Sequence, residues 1–348
     1  MQKPKFSLDP DAALPRSVGI AYSDVHREDF PTEDEYITEK DAESDAAGIG
    51  EYLASLGVAV QLHPGNAELP ERLRRDVPDV VLNLVDSVKG EEHLASAIPG
   101  VLELLGVPYT GAGILGLSMD TNKFVIKKLL QEHGVPVPTF QLFNTPEDRI
   151  DPLLRFPLIS KLNAIHGSVE ITDDAVSEDA KHLRRRLRYL IRTYKQPVLV
   201  EEFISGREIT AIVLQDGKKR VFLAEKVFTK PKSRYVYLTF ADQWLTEGAS
   251  VFRYKRYNDP VLRKYVRKAF AVAKMADYGK FDIRVDHSGR YHFIDSNCNP
   301  AFGPVEHDVA LSVILDMYGI PFEDILRRLL LNAVAVPPVV PDPTAAPA

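Results

Sequence analysis

Strand-like and helix-like segments alternate along the first third of the chain, and this order restricts the fold to few architectures. The predicted strands are residues 17–22, 58–62, 79–84 and 107–109, and the predicted helices are residues 42–56 and 97–105. Such a β-α-β-α-β order predicts a parallel sheet with crossover helices, because parallel neighbours need a long return connection. The apolar run at 79–84 is typical of a parallel strand buried on both faces.

The rest of the chain shows a different pattern, in which strand pairs surround short turns. The predicted strands are residues 158–162, 198–203, 208–214, 219–227, 282–286 and 291–296, with helices at 122–133, 179–194 and 260–276. Asp216-Gly217 and Ser288-Gly289 are typical hairpin turns. The sequence therefore predicts an α/β first domain followed by α+β structure. Both ends are rich in proline, and we expect them to be flexible.

Composition excludes several functional classes. The chain has 348 residues and a net charge of −6, so it is a poor general ligand for nucleic acid or an anionic membrane. No apolar run approaches the roughly 20 residues of a membrane span. The first residues lack the apolar region of a signal peptide, and the single cysteine, Cys298, excludes an intrachain disulfide. We expect a cytoplasmic protein.

Three motifs have structural explanations that we prefer to functional ones. They are the G-x-G-x-x-G match at 111–116, the arginines 184, 185, 186 and 188, and the histidines 287, 292 and 307. The glycine motif lacks a long preceding strand, so we interpret it as a domain connection and not as a dinucleotide site. The arginines lie opposite the apolar stripe of their helix, which predicts a solvated face. The histidine spacing fits no zinc site.

The most informative segment is the last predicted hairpin, FDIRVDHSGRYHFIDSNCNP. Asp295 and Asn297 are two residues apart on one strand and share a face, and Asp282 on the partner strand can converge with them. Two carboxylates and an amide oxygen suit Mg²⁺ held jointly with phosphates. The alternative is a polar hairpin end with Asn-Pro turn chemistry.

Two lysines upstream have the character of phosphate ligands. Lys161 interrupts an apolar strand, so its ammonium must reach water or an anion, and Lys123 begins a helix. The small, polar loop at 163–168 could offer backbone amides to a phosphate. Beyond it, Glu201 and Glu202 end a strand, which could present backbone groups to an adenine edge and carboxylates to a ribose. Each of these signals is weak by itself.

Together these segments resemble the ATP-grasp superfamily and, within it, the D-alanine–D-alanine ligase-like carboxylate–amine ligases. The resemblance covers residues 17–332 and rests on the order and spacing of DVVLNLVDSVKGEEHLASAIPGVLELLGVPYTGAG, SMDTNKFVIKKLLQEHGVPVP, VLVEEFISGREIT and GKFDIRVDHSGRYHFIDSNCNP. It implies an N-terminal parallel-sheet domain (17–118), a central lid domain (119–200) and a C-terminal, mainly antiparallel catalytic domain (201–332). Flexible segments at 1–16 and 333–348 would flank them.

The resemblance also implies roles for individual residues around ATP and Mg²⁺, with Mn²⁺ as an alternative ion. Lys123 and Lys161 match the phosphate-binding lysines. Residues 201–204 match the adenine site, namely Glu201, Glu202, Phe203 and Ile204, and Glu208 matches the ribose site. The metal ligands would be Asp282, Asp295 and Asn297. Lys280 stands where the family has an arginine that faces the transferred phosphate, and Ser168 keeps one of two loop serines.

Several positions depart from the family pattern. Asp295 replaces a glutamate, Gly167 replaces the other loop serine, and Gln243 stands where a lysine is common. Asp86-Ser87 replaces a histidine-containing turn, and the glutamate that anchors the first substrate has no clear match, Glu43 being a guess. Because the substrate-contacting positions are the altered ones, we expect a substrate pair other than two D-alanines.

The predicted activity is a two-step ligation of a small carboxylate and an amine, through an acyl phosphate and with release of ADP. A long segment rich in aromatic residues, 228–250, is a candidate lid, or an ordinary surface insertion. The alternatives are an ATP-grasp phosphotransferase and a catalytically impaired nucleotide-binding protein. We expect amino-acid-like substrates and no nucleic acid or membrane partner. We also expect a homodimer, because members of the family are often dimers.

Overall fold

The N-terminal part of the chain forms a parallel sheet covered by helices. The computed structural model describes residues 12–229, 234–246 and 251–335. Its first strands are β1 (Ser17–Tyr22), β2 (Ala59–Pro64) and β3 (Val80–Leu84), and its first helices are α1 (Glu33–Ile37), α2 (Ala42–Ser55), α3 (Leu69–Arg75) and α4 (Ala97–Leu105). The strand order is β2-β1-β3, all parallel. This agrees with the predicted crossover topology. The predicted strand at 107–109 is reduced to one parallel bridge between Val81 and Tyr109.

The middle of the chain contributes a second, antiparallel sheet. Its elements are α5 (Ile114–Asp120), α6 (Lys123–Glu132), β4 (Phe140–Phe143), β5 (Leu158–Leu162), β6 (Val176–Ser177), α7 (Ala180–Tyr194) and β7 (Val198–Glu202). The strand order is β4-β7-β5-β6. Polar side chains begin both long helices: Asn122 accepts from the Val125 amide at 3.0 Å, and Asp179 accepts from the His182 amide at 2.7 Å. These caps satisfy amides that a helix leaves unpaired, so each helix begins where its cap stands.

The C-terminal part forms a five-stranded antiparallel sheet. Its elements are β8 (Gly206–Gln215), β9 (Lys219–Phe228), β10 (Phe252–Tyr257), α8 (Pro260–Val272), β11 (Tyr278–Asp286), β12 (Tyr291–Asn297), α9 (Ala310–Met317) and α10 (Phe322–Ala335). The strand order is β10-β9-β8-β11-β12. Helix α8 ends four residues before the predicted position. Lys274, just beyond it, takes a left-handed backbone with φ 55°, which cannot continue a right-handed helix.

Apolar packing joins these parts of the chain. One core contains Val18 and Ile20 of β1 together with Leu326 and Leu329 of α10. A second core packs α6 and α8 against the five-stranded sheet, although α6 was predicted within the central segment. A third core fills the central sheet beneath α7. The first core therefore holds the parallel sheet against the five-stranded sheet, because it also contains Ile212 and Leu214 of β8.

Both ends of the described chain differ from the predicted flexible segments. The backbone amides of Arg16 and Ser17 donate to Asp79 Oδ2 at 2.8 and 3.0 Å, and the Ala12 carbonyl accepts from Arg327 at 2.8 Å. Helix α10 continues to Ala335, past the predicted boundary at 333. The predicted flexible residues 1–11 and 336–348 lie outside the described residues. No helix within the described ranges is long and apolar enough to cross a membrane.

Candidate functional site

The predicted site residues lie around one cleft, which has a volume of about 1020 Å³. The cleft is bordered by the three sheets, with β5 and β7 on one side and β8, β11 and β12 on another. Its lining includes Lys123, Lys161, Ser168, Glu201, Glu202, Phe203, Ile204, Glu208, Lys280, Asp282, Asp295 and Asn297. Residues that are up to 174 positions apart in the chain, from Lys123 to Asn297, therefore surround a common space.

Strand register brings the candidate metal ligands together. Asp282 on β11 is the direct partner of Asp295 on β12, and Asn297 follows two residues later on the same strand. The Asn297 Oδ1 atom is buried and has no hydrogen-bond partner among the described residues. A buried amide oxygen without a donor needs a ligand, and a cation supplies one. The donor set thus fits Mg²⁺, a hard cation that prefers oxygen.

These carboxylates are held in their charged form by lysines. Burial alone would raise the pKa of Asp282, but Lys280, whose Nζ lies 2.7 Å from Asp282 Oδ2, and Lys226 lower it well below its usual range. Burial likewise opposes ionisation of Asp295, and Lys123 with other cations lowers its pKa. No group of three or more His, Cys, Asp or Glu side chains in the described ranges could hold a metal alone. A cation here would need further ligands, such as phosphate oxygens.

Lys161 contacts a carboxylate of the protein, one of the two kinds of surroundings that its place in an apolar strand predicted. Its Nζ lies 3.3 Å from Glu201 Oε2 and donates to the Ile294 carbonyl at 3.0 Å. Lys127, which sequence analysis missed, donates to the same carbonyl at 3.0 Å and lies 3.1 Å from Glu201 Oε1. Burial lowers the pKa of Lys127, although Glu201 opposes that effect. The carboxylate of Glu201 is therefore shared by two lysines.

Glu208 is likewise enclosed by cations from the neighbouring strands. It pairs in register with Lys226 on β9 and with Arg284 on β11. Its oxygens lie 2.6 Å from Lys226 Nζ and 2.7 Å from Arg284 Nη2. Burial would raise the pKa of Glu208, but Lys226 and Arg284 lower it. Both cations were missed by sequence analysis, although their side chains occupy alternate, inward positions of predicted strands.

The loop at 163–168 contacts the part of the candidate lid that the structure describes. Ser168 Oγ donates to Gln243 Oε1 at 3.2 Å, and Trp244 Nε1 donates to the Gly167 carbonyl at 2.8 Å. Gly167 has φ 69°, a left-handed conformation that favours glycine. Gly167 and Gln243, two positions that depart from the family pattern, thus take part in neighbouring contacts between this loop and the candidate lid. Residues 230–233 and 247–250 of the candidate lid lie outside the described residues.

The wall of the cleft from the N-terminal domain is acidic, which sequence analysis largely missed. It includes Glu39, Asp86 and Glu92, and Asp120 at the end of α5 also lines the cleft. Glu92 pairs with His166 of the central loop: its carboxylate accepts from the His166 amide at 2.6 Å and contacts Nδ1 of the ring. Because the two residues are 74 positions apart, no local pattern could have revealed this pair.

Glu43, suggested as the anchor of the first substrate, lies away from the cleft. Glu43 is exposed on α2, accepts a long hydrogen bond of 3.4 Å from the Tyr22 hydroxyl and does not line the cleft. Glu39, which precedes that helix, lines the cleft instead. The helical pattern did not distinguish the two residues, because only tertiary packing determines which end of the helix faces the other domains.

The solvated-face prediction for the arginines was wrong for Arg186. Arg186 is buried, with Nη2 2.8 Å from Glu170 Oε2, whereas Arg185 and Arg188 are exposed. Arg184 is half-buried and donates to the carbonyls of residues 146 and 148. The sequence could not reveal the buried partner, because Glu170 lies in an irregular loop.

The other two motifs are placed as predicted. In the glycine motif, the Gly111 amide donates to Asp277 at 2.8 Å and the Ala112 amide donates to Asn299 at 3.0 Å, so this connection packs on the C-terminal domain. Gly111 has φ 88°, and a Cβ there would lie 2.6 Å from Asn299. The three histidines do not cluster. His292 lies beside Asp286, His307 beside Asp45, and His287 is exposed.

Comparisons with known proteins agree with this architecture. A model of the family described as D-ala D-ala ligase C-terminus matches residues 129–331. An uncharacterized protein of Sinorhizobium fredii is 29% identical over 236 residues, covering 66% of this chain and 68% of that protein. The D-alanine–D-alanine ligase of Bordetella pertussis is 27% identical over 292 residues, covering 82% of this chain and 88% of the ligase.

Solved structures share the fold. The D-alanine–D-alanine ligase from Bacillus anthracis complexed with ATP superposes with a TM-score of 0.69 at 18% identity, covering 92% of this chain and 98% of that one. The corresponding enzyme from Coxiella burnetii gives a TM-score of 0.64 at 16% identity and covers 91% of this chain and 95% of that one. These superpositions confirm the predicted fold class, a parallel-sheet domain followed by two antiparallel-sheet regions.

Proposed function

Because the chain belongs to the D-ala D-ala ligase C-terminus family, we propose that it is an ATP-dependent ligase that joins a carboxylate to an amine and releases ADP. The observation that supports this most is the convergence of the predicted nucleotide, metal and phosphate ligands on one cleft of about 1020 Å³. The ATP-grasp family resemblance expected from the sequence is confirmed by the family match and the shared fold.

In the proposed reaction, a carboxylate oxygen of the first substrate attacks the γ-phosphorus of ATP, and ADP leaves. The amine nitrogen of the second substrate then attacks the acyl carbon, phosphate leaves, and the nitrogen loses a proton to give the amide. Phosphorylation is needed because oxide is a poor leaving group from a carboxylate. The cleft must exclude water, since water would compete with the amine for the acyl phosphate.

We assign each step of the proposed reaction to particular residues of this chain. Lys123 and Lys161 bind the phosphates electrostatically, and Lys280 stabilises the negative charge that develops during amine attack. Asp282, Asp295 and Asn297 would hold Mg²⁺, which would supply positive charge to neutralise the phosphates. The 201–204 segment, with Glu202, Phe203 and Ile204, receives the adenine, and Glu208 faces the ribose. Ser168 lies in the loop that covers the phosphates.

The proposed domain roles follow the same division. Residues 17–118 contact the substrates, residues 119–200 cover the nucleotide, and residues 201–332 supply the metal ligands and Lys280. The altered positions Asp86, Gly167 and Gln243 line the cleft, whereas the metal ligands keep oxygen donors. This contrast supports a substrate pair other than two D-alanines.

The test is ADP and phosphate release with a pool of amino acids, dipeptides and amines, followed by mass spectrometry of the products. We expect ADP release only when an acid and an amine are both present, with formation of an amide. A stable phosphorylated product would instead indicate a phosphotransferase. Nucleotide binding without any turnover would indicate the impaired binding protein.

The metal assignment is tested at Asp295. We expect Asp295→Ala to lower Mg²⁺-dependent ADP release by at least about a hundredfold, because one of two carboxylate ligands is lost. Asp295→Glu restores the residue typical of the family and should retain most activity. Circular dichroism of both variants controls for folding. Full activity of Asp295→Ala would remove the metal assignment.

A further inference from the structure

We propose that Arg284 is a positioning residue of the nucleotide site: it fixes Glu208 and holds the candidate lid over the segment assigned to the adenine. Arg284 lies on β11, lines the cleft and is only 4% exposed. The part of the lid that it contacts belongs to residues 234–246, which the structure describes. This inference rests on the proposed function and deepens it, because it assigns to one side chain the coupling between nucleotide binding and the position of the lid.

One nitrogen atom of Arg284 connects the ribose site to the lid. Its Nη2 atom lies 2.7 Å from Glu208 Oε2 and donates to the Val236 carbonyl at 2.7 Å. Each terminal nitrogen of a guanidinium group carries two hydrogens, so one is available for each acceptor. Nη1 adds a longer hydrogen bond of 3.4 Å to the Gly206 carbonyl. The guanidinium group therefore joins the start of β8, the ribose carboxylate and the lid.

The same guanidinium group packs on the segment assigned to the adenine. Its Cζ atom lies 5.7 Å from the centre of the Phe203 ring, which is a cation–π contact. Tyr235 and Tyr237 of the lid contact this ring edge to face, with ring centres 5.1 and 5.7 Å away. Phe203 is therefore packed by Arg284 and by two lid tyrosines at once. A shift of the lid would change the surroundings of the adenine segment directly.

Other contacts of the lid lead to the central part of the chain. The Tyr237 hydroxyl donates to the Thr172 carbonyl at 2.8 Å, and the Phe240 amide donates to the Ile171 carbonyl at 2.8 Å. Arg284 adds a connection to the five-stranded sheet, which also carries the candidate metal ligands. The lid is thus attached to both sides of the nucleotide cleft.

Burial makes the contacts of Arg284 depend on one another. Glu208 is buried, and its other oxygen lies 2.6 Å from Lys226 Nζ on β9. A buried carboxylate that loses one of two cations is poorly compensated, so it moves or takes up a proton. Removal of Arg284 would release Glu208 Oε2 and would also remove a donor from the Val236 carbonyl. The ribose site and the lid should therefore change together.

The test uses the single tryptophan of the chain, Trp244, which lies in the lid and reports its position without a label. With Mg²⁺ and saturating ADP, the acrylamide quenching constant of Trp244 should be about twofold larger in Arg284→Met than in the wild type, because the lid opens locally. Calorimetry should show ADP binding about tenfold weaker, the usual effect of losing one hydrogen bond to a charged group.

A second variant, Arg284→Lys, keeps a cation beside Glu208 and carries the test if Arg284→Met does not fold. The lysine Nζ atom ends one bond short of the arginine Nη2 atom, and an ammonium group lacks the planar fork. We expect it to reach Glu208 or Val236 but not both. Trp244 quenching and the Kd for ADP should therefore lie between those of the wild type and Arg284→Met. Circular dichroism of each variant checks folding.

Arg207→Met is the matched control, because Arg207 is exposed, precedes Glu208 on β8 and does not line the cleft. It should leave quenching and ADP affinity as in the wild type. Unchanged quenching or unchanged ADP affinity in the folded Arg284 variants would overturn the inference, since a merely structural role would lower stability alone. Failure of the wild type to bind ADP would contradict the proposed function, and quenching without nucleotide would still decide whether Arg284 holds the lid.

Discussion

Individual carboxylates in the cleft differ in charge because their neighbours differ. Asp282 has Lys280 within 2.7 Å, and this contact favours its ionised form. Glu39 has Asp86 and Glu92 as neighbours, and burial and these like charges raise its pKa from 4.5 to about 8. A side-chain carboxyl group is therefore an anion at the nucleotide end of the cleft and is protonated more easily at the other end.

This difference predicts how stability depends on pH. Between pH 4.5 and about 8 folded Glu39 keeps a proton that the unfolded chain loses, so its contribution to stability falls as pH rises through this window. We compare the free energy of unfolding of Glu39→Gln with that of the wild type. This difference should shift in favour of the variant by on the order of 1 kcal/mol when the pH is raised from 5 to 8. Urea unfolding at both pH values measures this. Glu43→Gln should show no such difference, and identical pH profiles for Glu39→Gln and the wild type would contradict the assignment.

Among the elements, helix α7 shows how a surface helix anchors an irregular loop. Glu170 in that loop has φ 63° and accepts from Arg186, from Tyr189 at 2.8 Å and from Tyr194 at 2.9 Å, all on α7. The buried pair of Arg186 and Glu170 holds the loop that also carries Gly167 and Ser168. The helix thus positions a wall of the cleft as well as covering its sheet.

We expect Arg186→Ala to lower the free energy of unfolding by about 3 kcal/mol, because it leaves the Glu170 carboxylate buried without its cation. Arg185→Ala is the matched control: the neighbouring side chain is exposed, so its removal should change stability by less than about 0.5 kcal/mol. Chemical denaturation of both variants measures the difference. Equal stability of the two variants would show that the pair contributes nothing.

For the whole molecule, the important feature is the apolar core that the two ends of the chain share. Ile20 of β1 packs in the same cluster as Leu329 of α10 and Ile212 of β8. Tyr278 of β11, the strand that also carries Asp282, belongs to the same cluster. Apolar packing therefore holds the N-terminal sheet against a strand that carries a candidate metal ligand.

Leu329→Ala should lower stability by about 2–5 kcal/mol, the usual cost of a cavity at a fully buried leucine. Because the core is shared, native-state hydrogen exchange should speed up in both β1 and β11. Leu104→Ala makes the same substitution at a residue that is 88% exposed and should leave exchange unchanged. Acceleration confined to α10 would show that the N-terminal sheet is stable by itself.

Most elements begin and end where local sequence signals predict, because caps and turns act over a few residues. Asn122, Asp179 and the turns at 216–217 and 288–289 set their boundaries nearly where the pattern predicts. Strand alternation also predicted that Asp295 and Asn297 share a face. Tertiary packing, in contrast, was needed to show which distant side chains meet, such as Glu92 with His166 across two domains, Glu170 with Arg186, and Glu39 with Asp86. These contacts join distant or irregular segments, and their geometry depends on how the three cores pack. The helix and strand periodicity of the sequence carries no information about that packing.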